Sequence, residues 1–181
     1  MIILGVDPGT LVTGFGVVER QGTQLRMIEC GAVVNAQKDP MPLRLKAMYD
    51  ALCGVIARTH PDEFALETAF YGKNIQSSLK IGQARGVAML TAANSGIPLS
   101  EYAPREIKRA VTGNGAATKE QVQFMVMKML RLRTAPDALD VSDALAAAIT
   151  HANRIGSPRT GHTSWESYIA AHPERVITRR Q

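Results

Sequence analysis

Two short apolar runs in this chain end on acids. Ile2-Ile3-Leu4-Gly5-Val6 runs into Asp7, and Phe64-Ala65-Leu66 runs into Glu67. Runs this short and apolar read as buried strands, so an acid at the end of each is unusual. A third acidic feature follows. Asp140 and Asp143 stand three apart at the start of the alanine-rich helical stretch DVSDALAAAITHANR. That spacing puts both carboxylates on one helix face, about 5–6 Å apart at Cβ. Two strand-end acids and one such pair together make up an anionic pocket, provided that the fold brings the segments together.

The order of elements says how it does so. Residues 2–7, 12–20 and 25–34 read as strands, with the Pro8-Gly9-Thr10 turn after the first and Gly22 marking a hairpin between the next two. Asp39 and Pro40 open a helix that runs to Thr59, with Leu45, Met48, Leu52 and Ile56 at helical spacing and Pro61 beyond its end. A strand over 63–67 and an irregular connection over 68–75 lead to a long helix over 76–94, closed by Asn94-Ser95-Gly96. A strand over 97–102, a short helix from Pro104 and a flexible Gly113-Asn114-Gly115 break come next. Thr118 and Gln121 form a capping box for a helix over 119–132. The last helix opens near Asp140 and ends at Gly156. This order, βββαβαβααα, predicts an α/β fold. Its mixed five-stranded sheet has three antiparallel strands, then parallel ones, flanked by helices on both faces. The fourth strand runs parallel to the first, which sets Asp7 beside Glu67.

At 181 residues the chain has room for one domain that buries roughly 70% of its unfolded surface. We assign residues 1–155 to that domain. Residues 156–181 read as a basic tail, either without fixed structure or with one short helix over 165–172. The net charge is +5, unevenly spread. Residues 104–133 hold seven basic side chains (Arg105, Lys108, Arg109, Lys119, Lys128, Arg131, Arg133) against Glu106 and Glu120. A basic flank around an acidic centre suits a polyanionic substrate. Cys30 and Cys53 form no C-x-x-C pair and read as ordinary thiols in a reducing compartment. No apolar run approaches the ~18 residues of a membrane span, and the opening run has no basic leader. The expectation is a soluble protein of the cytoplasm, with no membrane partner.

Four carboxylates in one pocket repel. Each like-charge pair at ~4 Å costs on the order of 4 kcal/mol at an effective dielectric near 20. The helix dipole, at roughly 0.3–1 kcal/mol per acid, does not offset this. Two divalent cations do, and an all-oxygen site suits magnesium or manganese. Such a pair serves in-line phosphoryl displacement, activating a water and stabilising the leaving oxygen. Taken singly, the acids also fit plainer roles: Asp7 as a turn former, Glu67 in a strand-end salt bridge, Asp140 and Asp143 as helix caps. The Asp7-Pro8-Gly9-Thr10 turn also resembles the phosphate loop of sugar kinases and chaperone ATPases. Those proteins close two lobes on a nucleotide, for which this chain is too short.

The stretches LGVDPGTLVTGFGVV, FALETAFYGKNIQSSLKIGQARGVAML, EYAPREIKRAVTGNGAATKEQVQFMV and DVSDALAAAITH resemble the RuvC family of bacterial Holliday junction resolvases. They cover most of residues 1–154. The resemblance implies a ribonuclease H-like fold, a homodimer and a need for magnesium or manganese. It implies paired, symmetrical nicking of four-way junction DNA that leaves 5′-phosphate and 3′-hydroxyl ends, and partnership with the RuvA and RuvB branch-migration proteins. It carries the family's acidic tetrad onto Asp7, Glu67, Asp140 and Asp143 as catalytic metal ligands. Some relatives have a histidine where this chain has Asp140. It matches a junction-probing phenylalanine to Phe70 and phosphate-contacting lysines to Lys108 and Lys119.

The residues themselves extend that reading. Phe70 and Tyr71 are aromatics in a polar connection beside Glu67, suited to stacking on an unpaired base. Lys73 and Asn74 extend the same segment towards phosphate. The helix over 76–94 carries Leu79, Ile81, Val87, Met89 and Leu90 among small residues (Gly82, Ala84, Gly86, Ala88), which suits a two-fold interface. His151, two turns beyond Asp143, reads as structural. Two alternatives remain from the sequence: a catalytically silent junction-binding protein on the same fold, and a nuclease for RNA–DNA hybrids.

Overall fold

The computed structural model describes residues 1–68, 75–155, 169 and 172. Strands β1 (Ile2–Asp7), β2 (Val12–Gln21) and β3 (Gln24–Val34) form the expected antiparallel meander. Gly22, in the turn between β2 and β3, has φ +61°, a left-handed conformation that costs a residue without Cβ little. Strands β4 (Glu63–Glu67) and β5 (Leu99–Tyr102) complete a sheet of order β3-β2-β1-β4-β5, with β4 parallel to both β1 and β5. Val6 lies opposite Leu66 in the β1–β4 register. The next residue of each strand is an acid, so Asp7 and Glu67 stand at neighbouring strand ends on one sheet edge.

The helices are α1 (Met41–Thr59), α2 (Ile75–Asn94), α3 (Pro104–Thr112), α4 (Lys119–Leu130) and α5 (Leu139–Arg154). They cover both faces, as the alternation of the central strands requires. Leu4, Val6, Phe64 and Leu66 pack on Met48, Leu52 and Val55 of α1 and on Ala84 and Ala88 of α2. Ile3, Val18 and Ala65 face the other way, onto Ile107, Val122, Val126, Leu145 and Ile149. Every residue of α5 from Val141 to Ala152 is buried. It lies between the sheet and helices α3 and α4.

Several element ends differ from expectation. Asp39 does not cap α1. The cap position belongs to Pro40, and the Asp39 carboxylate accepts instead from the Ala36 N–H (3.2 Å). Strand β5 begins at Leu99, not 97, and α4 closes at Leu130, where Arg131 turns left-handed (φ 54°). The α5 helix begins one residue before Asp140 and ends at Arg154, with Asp140 in its first turn and Asp143 in its second. The 113–115 break is a hydrogen-bonded turn. The Asn114 N–H donates to Thr112 Oγ1 (3.1 Å) and the Ala116 N–H to Asn114 Oδ1 (3.0 Å). The tail expected over 156–181, with its helix over 165–172, lies outside the described residues except for Ile169 and His172.

Candidate metal and DNA site

The pocket is built by a close approach of backbone to backbone. Gly14 of β2 is the cross-strand partner of Asp7. A Cβ on Gly14 would overlap the Asp140 carbonyl and the Val141 nitrogen, and one on Gly5 would overlap the Ala144 carbonyl. A Cβ on Gly16 would run into the Leu145 side chain. With no side chains in the way, and with alanines on its own surface, α5 lies directly on β1 and β2. Its opening turns therefore arrive beside the end of β1. The turn after β1 is held by the Thr13 hydroxyl, which donates to the Gly9 carbonyl (2.6 Å). The sequence reading missed this docking surface. Its signal was there: glycines at alternate positions of β2, and a helix whose apolar face is alanine.

Asp7, Asp140 and Asp143 each offer a carboxylate oxygen, all within 4.8 Å of one another. Glu67 lies outside this trio yet within its field. Its carboxyl is pushed up to about 8, first by burial and then by Asp7 and Asp143, while Lys119 and Lys108 pull it down. Asp7 is pushed up to about 7, again by burial first, then by Asp143 and Asp140. The plainer roles lose ground here. No side chain caps α5. Among the described residues Glu67 makes no salt bridge.

Lys119 enters the pocket. Its Nζ donates to Asp143 Oδ2 at 2.6 Å and lies 4.0 Å from Asp140 Oδ1. Burial works against that charge, but the hydrogen bond to Asp143 and the charges of Asp143, Asp7 and Asp140 outweigh it and raise the lysine's pKa. The donor set is all carboxylate, its oxygens converge, and the pocket already draws a cation. These residues fit a hard divalent ion with oxygen ligands.

The other expected residues divide. Lys108 lies close enough to act on Glu67. Phe70, Tyr71, Lys73 and Asn74 lie outside the described residues. His151 is buried away from the acids. Its Nδ1 is hydrogen-bonded to the Tyr102 hydroxyl (2.6 Å), and its Nε2 is 3.3 Å from Glu63 Oε2, at the end of β4 opposite Glu67.

A protein-family model described as crossover junction endodeoxyribonuclease RuvC matches residues 3–151. This chain belongs to the RuvC family. A RuvC of Salinibacter ruber is 45% identical over 177 residues, covering 97% of this chain and 99% of that protein. A RuvC of Pelotomaculum thermopropionicum is 46% identical over 166 residues, covering 92% and 96%. The structure of T. thermophilus RuvC in complex with a Holliday junction substrate superposes with a TM-score of 0.80 at 32% identity, covering 87% of this chain and 97% of that one. The ribonuclease H-like fold expected of a RuvC protein is the fold described above.

Proposed function

We propose that this chain resolves four-way DNA junctions by paired, symmetrical nicks, as a metal-dependent endonuclease of recombination and repair. One observation carries the reading. Three acids from two remote parts of the chain offer oxygens within 4.8 Å of one another, and a fourth lies within their field. In this reading Asp7, Glu67, Asp140 and Asp143 are the catalytic metal ligands, and they hold two magnesium or manganese ions. When bound, the ions supply Lewis acidity for water attack and charge compensation at the scissile phosphate.

The chain's own residues do the rest. The strand ends and α5 fix the carboxylates before substrate arrives, so little reorganisation is left for the reaction itself. Lys108 and Lys119 bring positive charge to the strand being cut. Phe70, Tyr71, Lys73 and Asn74, next along the chain from Glu67, serve base stacking and phosphate contact. Residues 1–155 form the nuclease domain, and the basic tail over 156–181 is an appendage to it.

A second copy of the chain is part of this reading. On α2, Leu79 and Leu90 are exposed, and open space surrounds the Cβ positions of Gly82 and Gly86. These four residues share one helix face. Small residues there allow a partner helix to approach closely, and a two-fold dimer matches the paired strands of a junction. RuvA and RuvB complete the expected partnership, in the bacterial cytoplasm. Among the described residues no helix is long and apolar enough to cross a membrane.

The test compares a synthetic four-way junction, a linear duplex and an RNA–DNA hybrid, with magnesium and with chelator. Paired nicks in the junction alone, only with metal, are expected. Asp7→Asn should bind the junction normally yet lose more activity than the ~10–100-fold typical of a ligand's supporting partner. Cleavage of the hybrid in preference to the junction would reassign the substrate. Normal cleavage by Asp7→Asn would remove the catalytic assignment.

A further inference from the structure

We propose that Lys119 is a resident counter-cation of the acidic pocket, which an incoming divalent ion displaces and so frees for DNA phosphate. The inference rests on the metal-site reading above and adds a coupling between metal and junction that runs through one side chain. Its basis is the position of the ammonium, 2.6 Å from Asp143 Oδ2 and 4.0 Å from Asp140 Oδ1. A divalent ion bound by the same two carboxylates would meet that charge at close range, where like charges repel strongly. The two cations therefore compete for the same oxygens.

The lysine is built to leave. Its backbone is fixed, because Lys119 follows Thr118 in a closed capping box. The Thr118 N–H donates to Gln121 Oε1 (2.9 Å) and the Gln121 N–H to Thr118 Oγ1 (3.3 Å). Its side chain by contrast is half exposed, 48% against 12% for that of Asp143. Swinging the stem away moves no element of the fold. Once out, the ammonium stands at the rim of a site that receives a polyanion. Metal loading thus adds a phosphate contact beyond any the ion makes itself. By linkage, junction binding favours metal loading in equal measure. A permanent structural pair between Lys119 and Asp143 would produce neither effect.

The experiment has two arms. In the first, manganese is titrated calorimetrically into metal-free protein without DNA, for the wild type and for Lys119→Met, which keeps most of the stem. The variant is expected to bind manganese about fivefold more tightly, the factor that corresponds to an ion pair at the upper end of the range for part-exposed pairs. Lys119→Gln should follow it, and replaces it if the methionine variant fails to fold. In the second arm, junction binding is followed by fluorescence anisotropy against salt, with and without calcium. Wild type and variant should show equal slopes without calcium. With calcium the variant's slope should be shallower by about 0.9, one phosphate contact.

Equal or weaker manganese binding by the variants overturns the inference, as does a slope difference that is the same with and without calcium. If neither wild type nor variant binds manganese, the metal-site reading itself fails.

Discussion

Asp7 shows what the pocket costs the fold. Its carboxyl, ordinarily near 3.8, is pushed up to about 7, and that of Glu67, ordinarily near 4.5, to about 8. Between those limits the folded chain holds more protons than the unfolded one, so rising pH destabilises the metal-free protein. The loss begins near pH 4 and is complete for both groups above about pH 8. Asp7→Asn removes one share of it. In chelator, calorimetry should show the variant more stable than wild type at pH 8, by on the order of 4 kcal/mol. The difference should vanish towards pH 4, and one that holds constant with pH would contradict the assignment. The acids were legible in the sequence because an apolar run that stops on a carboxylate is a local pattern. The contact of Lys119 with Asp143 was not. It joins residues 24 positions apart, and no spacing rule connects them.

Among the elements, α5 is the one on which the site depends. Residues at helical or strand period marked most elements to within a residue or two. The burial of α5 on all sides was not readable, because an alanine-rich face carries little amphipathic contrast. The close contact of β2 with the opening of α5 makes a sharp prediction. Gly14→Val forces Asp140 and Val141 off the strand. Overpacking of this kind typically costs about 1–3 kcal/mol. The urea midpoint should fall by a corresponding amount, and manganese affinity should fall with it, because Asp140 moves. A variant that loses stability but keeps full metal affinity would mean that Gly14 does not set the position of Asp140. Asp39 teaches a smaller lesson: with Pro40 at the cap position, its carboxylate turns back to Ala36.

At the scale of the molecule, three layers leave one end of the sheet charged and, among the described residues, one face of α2 exposed. If α2 is the two-fold contact, sedimentation equilibrium should give twice the 19.6 kDa chain mass. Gly86→Glu should return it to a single chain without loss of folding, because that position faces open space within the protomer. A dimer that survives this substitution would place the interface elsewhere. The fully buried α5 has a last implication. The helix that fills one half of the core also supplies Asp140 and Asp143, so on the proposed reading robustness and turnover would draw on the same sixteen residues. Substitutions that relax the crowded acids should yield hardier proteins that no longer cut, a trade-off frequent where active groups are held in destabilising company. Selection for heat tolerance would then have to act on surface and loops and leave this helix alone.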